Sequence, residues 1–172
     1  ENLEQQWWKI DDNLTLDGTR ASAYATILDS LRDGVTTIFD HHASFCEIPG
    51  SLFAIKDVAK ELGMRSCLCY EVSDRRGEEK CDQSIAENAE FAKWAHDARK
   101  NGDNMIAAMF GGHATFTLSD ETMDKMAEAN DGLTGFHIHV CEGMNDVWDS
   151  RLNRGGISPV ERLLQHNLLG PD

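Results

Sequence analysis

The segment Phe136-His137-Ile138-His139-Val140-Cys141-Glu142 combines side chains that could do chemistry together. Successive side chains of a strand alternate between its two faces, so His137 and His139 are predicted to point to the same side. Neutral imidazoles suit Zn²⁺ or Fe²⁺. Glu142 follows where the chain should bend, and a carboxylate there could transfer protons for a metal-activated water. The structural alternatives are two packed or hydrogen-bonded strand histidines and a solvated loop acid.

Other polar side chains come at the ends of the remaining predicted strands. They are Asp40, His41 and His42 after the first strand, Glu71 after the second and His113 after the third. In a parallel barrel these positions share one face, where functional residues gather. Asp40, His41 and His42 could therefore line a substrate pocket, although an Asp-His pair here could equally satisfy the loop backbone. No fixed spacing supports a catalytic role for Glu71.

The elements that must position these residues alternate between strand and helix. Short apolar or β-branched runs predict strands over residues 35–39, 65–71, 105–110 and 133–140. Apolar residues at helical spacing predict helices over residues 3–8, 16–32, 51–62, 84–100, 119–129 and 158–169, with loops over 73–80 and 143–156. Each unit is about 30 to 40 residues long, the size of a βα unit in a parallel sheet.

The sequence contains four such units, whereas a complete (β/α)8 barrel needs roughly 200 or more residues. The chain begins inside a predicted helix and ends where another strand is expected. We therefore predict an α/β fold, a partial (β/α)8 TIM barrel with parallel strands. On this interpretation residues 1–172 are one fragment of a larger barrel domain.

The composition limits the classes of partner and compartment. The 172 residues include 16 basic and 30 acidic side chains, a formal net charge of −14, which disfavours nucleic acids and anionic membranes. The acidic N-terminus and the short apolar runs indicate neither a signal peptide nor a membrane helix, so we expect a cytoplasmic protein. Five cysteines without a C-x-x-C pair fit neither a disulfide framework nor a zinc ribbon.

The cysteines near the polar residues have simple structural interpretations. Cys67 and Cys69 alternate along a predicted strand and are expected in the core or the barrel interior. Cys141 shares the predicted face of His137 and His139, and it could reach a metal or be a small buried side chain.

Three segments together resemble the amidohydrolase superfamily. They are GVTTIFDHHAS at 34–44, GHATFTLS at 112–119 and HIHVCE at 137–142. Within it the chain is most similar to the aminohydrolase/chlorohydrolase group, and Trp7-Trp8 together with DHHAS at 40–44 resembles the SsnA-type aminohydrolases associated with selenium metabolism. The resemblance places the chain on barrel strands two to five. It implies that His139 is the strand-five metal ligand, Glu142 the proton-transferring acid and His113 a substrate-contacting histidine.

The resemblance implies a metal-dependent hydrolase of non-peptide C–N bonds, with one Zn²⁺ or Fe²⁺ per site. Deamination of a heterocyclic small molecule is favoured, and removal of chloride from such a ring is a close variant. The family's other metal ligands lie on strands one, six and eight, outside this chain, so we expect the isolated piece to be metal-free and inactive. The alternative is a non-catalytic half-barrel scaffold whose open edges self-associate into a homo-oligomer.

Overall fold

The computed structural model of the protein describes residues 3–170. Over these residues, helices and parallel strands alternate. The strands are β1 (Thr37–His42), β2 (Arg65–Tyr70), β3 (Ile106–Ala108), β4 (Phe110–Ala114) and β5 (Phe136–His139). The α-helices are α1 (Trp8–Asp11), α2 (Leu16–Arg32), α3 (Ser51–Leu62), α4 (Glu78–Lys100), α5 (Asp120–Asn130), α6 (Met144–Asn153) and α7 (Pro159–Gln165). A π-helical turn, Leu3–Trp7, precedes α1, and two short 3₁₀ turns cover Asp74–Arg76 and Thr115–Thr117.

The strands follow one another across the sheet in sequence order. β1 pairs with β2 and β2 with β3, while β4 pairs with β5, all in parallel. β3 and β4 are one bent strand that changes partner at Met109, whose N–H donates to the Leu68 carbonyl before the next residue pairs with the β5 side. An isolated parallel bridge between Val72 and Gly112 joins the two halves. The predicted fold, four βα units of a barrel, is confirmed.

The helices cover one face of these strands with apolar side chains. One cluster, including Leu52, Leu68 and Phe91, packs between α3, α4 and β2. A second, including Phe110 and Met126, lies beneath β4, β5 and α5. Because strand side chains alternate between faces, the residues between these apolar positions point to the opposite, inner face of the sheet.

Local signals set several helix boundaries where the sequence predicts them. The Ser158 hydroxyl accepts from the Glu161 N–H and the Glu161 carboxylate accepts from the Ser158 N–H, which is the predicted capping box of α7. α3 ends at Gly63, whose positive φ of 73° is the left-handed conformation that glycine favours. No helix within residues 3–170 is long and apolar enough to cross a membrane.

Several predicted boundaries are wrong. β1 starts and ends later than predicted, so Asp40, His41 and His42 lie inside the strand rather than in the following loop. The third predicted strand extends beyond residue 110, and His113 lies within β4. The 73–80 loop is shorter, because α4 begins at Glu78, where two acidic residues in the first turn favour the helix N-terminus. The last helix ends at Gln165, before Asn167 with its left-handed φ of 58°.

The largest difference is after β5. Residues 143–156 are predicted as a loop, but α6 occupies most of them. The strand alternation also stops at His139: Cys141 has a left-handed φ of 55° and is exposed, so it does not share the face of the two histidines. One buried carboxylate, Asp146 on α6, accepts from the Cys141 N–H at 2.7 Å and from the Thr115 hydroxyl, and so joins the helix to the bend after β5.

Candidate active site

Two layers of side chains line the inner face of the sheet. The inner layer consists of His41, Cys69, Gly111 and His137. His41 is in register with Cys69 and Gly111 with His137, and the Cys69 sulfur lies 3.7 Å from Nδ1 of His137, which joins the two pairs. The rim layer consists of Glu71, His113 and His139, each two residues further along the same strands. His137 therefore lies below the rim, although the sequence predicts it at the strand end.

A cavity of about 450 Å³ opens at the rim layer. The sequence-predicted site residues His41, His42, His113, His139 and Glu142 all contribute to its walls. Its lining also includes Glu71, Arg75, Asp11 and Trp8. Side chains that are more than a hundred positions apart in the sequence thus line the same cavity.

Glu71 is the charged centre of the rim. Its carboxylate forms an ion pair with Arg75, and one oxygen lies 3.7 Å from Nε2 of His41. Burial would raise the pKa of Glu71, but His41, His113 and Arg75 together hold the pKa below its usual value. The guanidinium of Arg75 is itself fixed by the Ser73 hydroxyl at 2.9 Å. Glu71 is therefore ionised at neutral pH.

The acid Asp11 and the ring of Trp8 reach this rim from the N-terminal helix. The Arg75 guanidinium lies 4.9 Å from the centre of the Trp8 ring, a cation–π distance. Burial, reinforced by the charge of Glu71, raises the pKa of Asp11 to about 6. Sequence reasoning did not select these residues, because helical spacing alone assigns the tryptophans to helix packing.

His113 and His139 are neutral imidazoles at neutral pH. Burial lowers the pKa of His113 to about 4 despite the nearby Glu71. Its Nδ1 lies 2.8 Å from the Thr117 hydroxyl, and its ring centre is 5.7 Å from that of His139. Burial and the charge of His41 also lower the pKa of His139. The unprotonated imidazole is the form that binds metal ions.

His42 occupies a different environment from His41. It points towards the helix-covered side of β1, where its Nε2 lies 2.9 Å from the Ser44 hydroxyl and its ring meets Tyr70 edge-on. Burial lowers the pKa of His42 to about 4. The backbone N–H of Ser44 donates to the Tyr70 hydroxyl, so this histidine belongs to a local structural network as well as to the cavity wall.

Glu142 lies in the bend between β5 and α6 and is exposed at the cavity. The turn that carries it is held by Asp146 through the Cys141 N–H. Asp146 was missed by sequence reasoning, because a single acid in a predicted loop carries no periodic signal.

The sequence predicts Cys69 in the core or the barrel interior, and the structure shows which side chains it contacts there. Its sulfur lies 3.5 Å from Nδ1 of His41 and 3.7 Å from Nδ1 of His137. Burial, with the charge of Asp40, raises the pKa of this thiol well above its usual range. Strand alternation could have placed each residue on the inner face, but only the register between strands brings them together.

Comparison with known proteins agrees with the arrangement of these units. The model of the amidohydrolase family matches residues 4–168. The chain belongs to the amidohydrolase family. A 5′-deoxyadenosine deaminase of Methanobrevibacter smithii is 31% identical over 175 residues, which cover 99% of this chain and 37% of that relative. The family resemblance seen in the sequence is confirmed.

Two solved structures share the fold of this chain. An adenosine deaminase from Xanthomonas campestris with bound zinc superposes with a TM-score of 0.78 at 22% identity, covering 98% of this chain and 36% of that chain. An atrazine chlorohydrolase from Arthrobacter aurescens TC1 complexed with zinc gives a TM-score of 0.69 at 22% identity, covering 94% and 38%. The chain therefore spans less than two-fifths of the length of the deaminase relative and of these two solved proteins.

Proposed function

We propose that this chain supplies part of the active site of a metal-dependent aminohydrolase that deaminates a nitrogen heterocycle. The observation that carries the proposal is the convergence of His113, His139 and Glu142 on one cavity in a member of the amidohydrolase family. The deaminase relative gives the reaction class: water replaces an amino group on a ring carbon, and ammonia leaves.

The His139 imidazole in the rim layer is a suitable ligand for a divalent metal ion. The lowered pKa of His139 keeps its imidazole unprotonated, so this residue would hold Zn²⁺ or Fe²⁺ together with ligands from barrel strands outside these four units. The bound ion would lower the pKa of water and so supply a nucleophile at neutral pH. Zinc in the two solved family members supports the choice of ion.

The residues of this chain would bind the ring and move the proton. Glu142, exposed at the cavity, would carry a proton to the ring nitrogen or to the leaving ammonia. His113 has its Nδ1 engaged by Thr117, which leaves Nε2 to contact the substrate. His41 and His42 would line the pocket beneath the ring, and their role as substrate-binding residues remains a prediction.

The decisive variant is Glu142→Gln in the protein that contains this chain. Removing the proton-transferring carboxylate should lower kcat by about 10²- to 10⁴-fold while the metal content is unchanged. Ammonia release from 5′-deoxyadenosine and elemental analysis measure the two quantities. Glu128→Gln, the same change at an exposed site on α5, is the matched control and should leave both unchanged. Full activity of the Glu142 variant would remove this residue from proton transfer.

Dechlorination is the second candidate reaction, supported by the structural similarity to an atrazine chlorohydrolase. The same residues would then assist water in replacing chloride on the ring. Chloride release from atrazine, compared with ammonia release from 5′-deoxyadenosine, distinguishes the two. Inactivity of residues 1–172 alone and self-association as a scaffold also remain predictions, which activity assays and light scattering on that polypeptide would test.

A further inference from the structure

A second group of metal-ligand side chains lies one layer below the rim. His41, Cys69 and His137 come from three different strands, and one potential ligand atom of each lies within 4.8 Å of the other two. We propose that these residues form a Cys-His-His site for a divalent transition metal such as Zn²⁺, separate from the ion that His139 would hold. The proposal depends on the inner layer alone and not on the deaminase reaction.

The distances between the ligand atoms of this site suit tetrahedral coordination of a metal ion. Bonds of about 2.3 Å to sulfur and about 2.0–2.1 Å to nitrogen place neighbouring ligand atoms roughly 3.5 Å apart. The Cys69 sulfur lies 3.5 Å from Nδ1 of His41 and 3.7 Å from Nδ1 of His137, so both edges already have this length. His137 is only partly buried, which leaves its ring room to turn and close the third edge.

Gly111 gives the thiol its access to His137. It is in register with His137 and lies between that residue and Cys69 in the inner layer. A Cβ atom at position 111 would come 3.1 Å from the Cys69 sulfur and 2.2 Å from the Tyr70 carbonyl oxygen. A side chain at this position is therefore excluded, and the space between sulfur and imidazole stays open.

His41 is oriented as metal-binding histidines usually are. Its Nδ1 faces the thiol, while Nε2 is buried without a hydrogen-bond partner among the described residues and lies 3.7 Å from the Glu71 carboxylate. Metal-ligating histidines commonly direct their second ring nitrogen to a carboxylate, which fixes the tautomer. An ion bound to Nδ1 of His41 would place the ring proton on Nε2, on the side that faces the Glu71 carboxylate.

Cobalt substitution in the protein that contains this chain tests the site. After chelation and loading with Co²⁺, we expect two ions per chain and an intense sulfur-to-cobalt charge-transfer absorption. Cys69→Ser should lose that absorption and one ion. Cys67→Ser is the matched control on the same face of β2 and should keep both. His139→Ala should lose one ion and keep the absorption, which separates this site from the proposed catalytic one.

Two outcomes of the cobalt experiment would contradict the proposed site. If the wild-type protein at saturating Co²⁺ shows no charge-transfer absorption, or if Cys69→Ser leaves the absorption unchanged, the inner layer is a neutral thiol hydrogen-bonded to two imidazoles. His137→Gln provides a second variant that retains the thiol at a less buried position, should the Cys69 variant not fold. It should weaken the absorption, and an undiminished absorption would also contradict the proposal.

Discussion

The rim layer and the inner layer use the same strands but present different chemistry. The rim carries the carboxylate Glu71, and its side chains have partners in the loops, as His113 has in Thr117. The inner-layer side chains contact one another through Cys69 and two imidazoles, and His41 also faces Glu71 of the rim. A two-residue step along a parallel strand thus separates a charged, loop-supported surface from a thiol and imidazole cluster. Loops reach the strand ends and can supply partners there, whereas the layer beneath depends on register.

Adding a side chain at Gly111, in the inner layer, should have the largest effect on stability. We expect Gly111→Ala to destabilise the protein by about 3 kcal/mol, because its Cβ would press on the Tyr70 carbonyl, a backbone atom that cannot turn aside. Gly135→Ala is the matched control, since its Cβ would meet only Met109 at an ordinary 3.9 Å. Urea denaturation measures both. Equal stability of the two variants would show that the layer is not closely packed at Gly111.

The stability of the protein should depend on pH through His113, a residue of the rim layer. Its folded pKa of about 4 lies below the ordinary 6.5, so the unfolded chain binds the additional proton between these values. Stability should therefore fall as pH decreases from about 6.5 to 4, by up to about 3 kcal/mol from this residue. His113→Asn should flatten the pH dependence of the free energy of unfolding. Parallel curves for wild type and the His113 variant would contradict the prediction.

Removing the Asp146 carboxylate, which holds the bend after β5, should have a smaller effect on stability. Asp146→Ala leaves the Cys141 N–H and the Thr115 hydroxyl without their acceptor, which should cost about 1–3 kcal/mol. The turn that carries Glu142 should loosen as well, so kcat should fall with little change in metal content. Asp57→Ala, at an exposed site on α3, should change stability by about 0.5 kcal/mol or less. Thermal unfolding and ammonia release provide the measurements.

Much of the fold and part of the site could be predicted from the sequence. Apolar periodicity located the strands and most of the helices, although not α6, and the Ser158–Glu161 capping signal set the start of the last helix. Four of the predicted histidines and Glu142 line one cavity, while their catalytic and binding roles stay predictions. These signals are local: each depends on a few neighbouring residues, and the sequence contains all of them.

Only the tertiary structure decided how the layers form. The contact of Cys69 with His41 and His137 requires the register of β2 with β1 and the change of partner at Met109. Helix α6 likewise carries the buried Asp146, whose hydrogen-bond partner Thr115 lies 31 positions away in the chain. Strand alternation indicates the face of a side chain but not its height relative to another strand. That height is fixed by hydrogen bonds and helix packing between residues far apart in the chain.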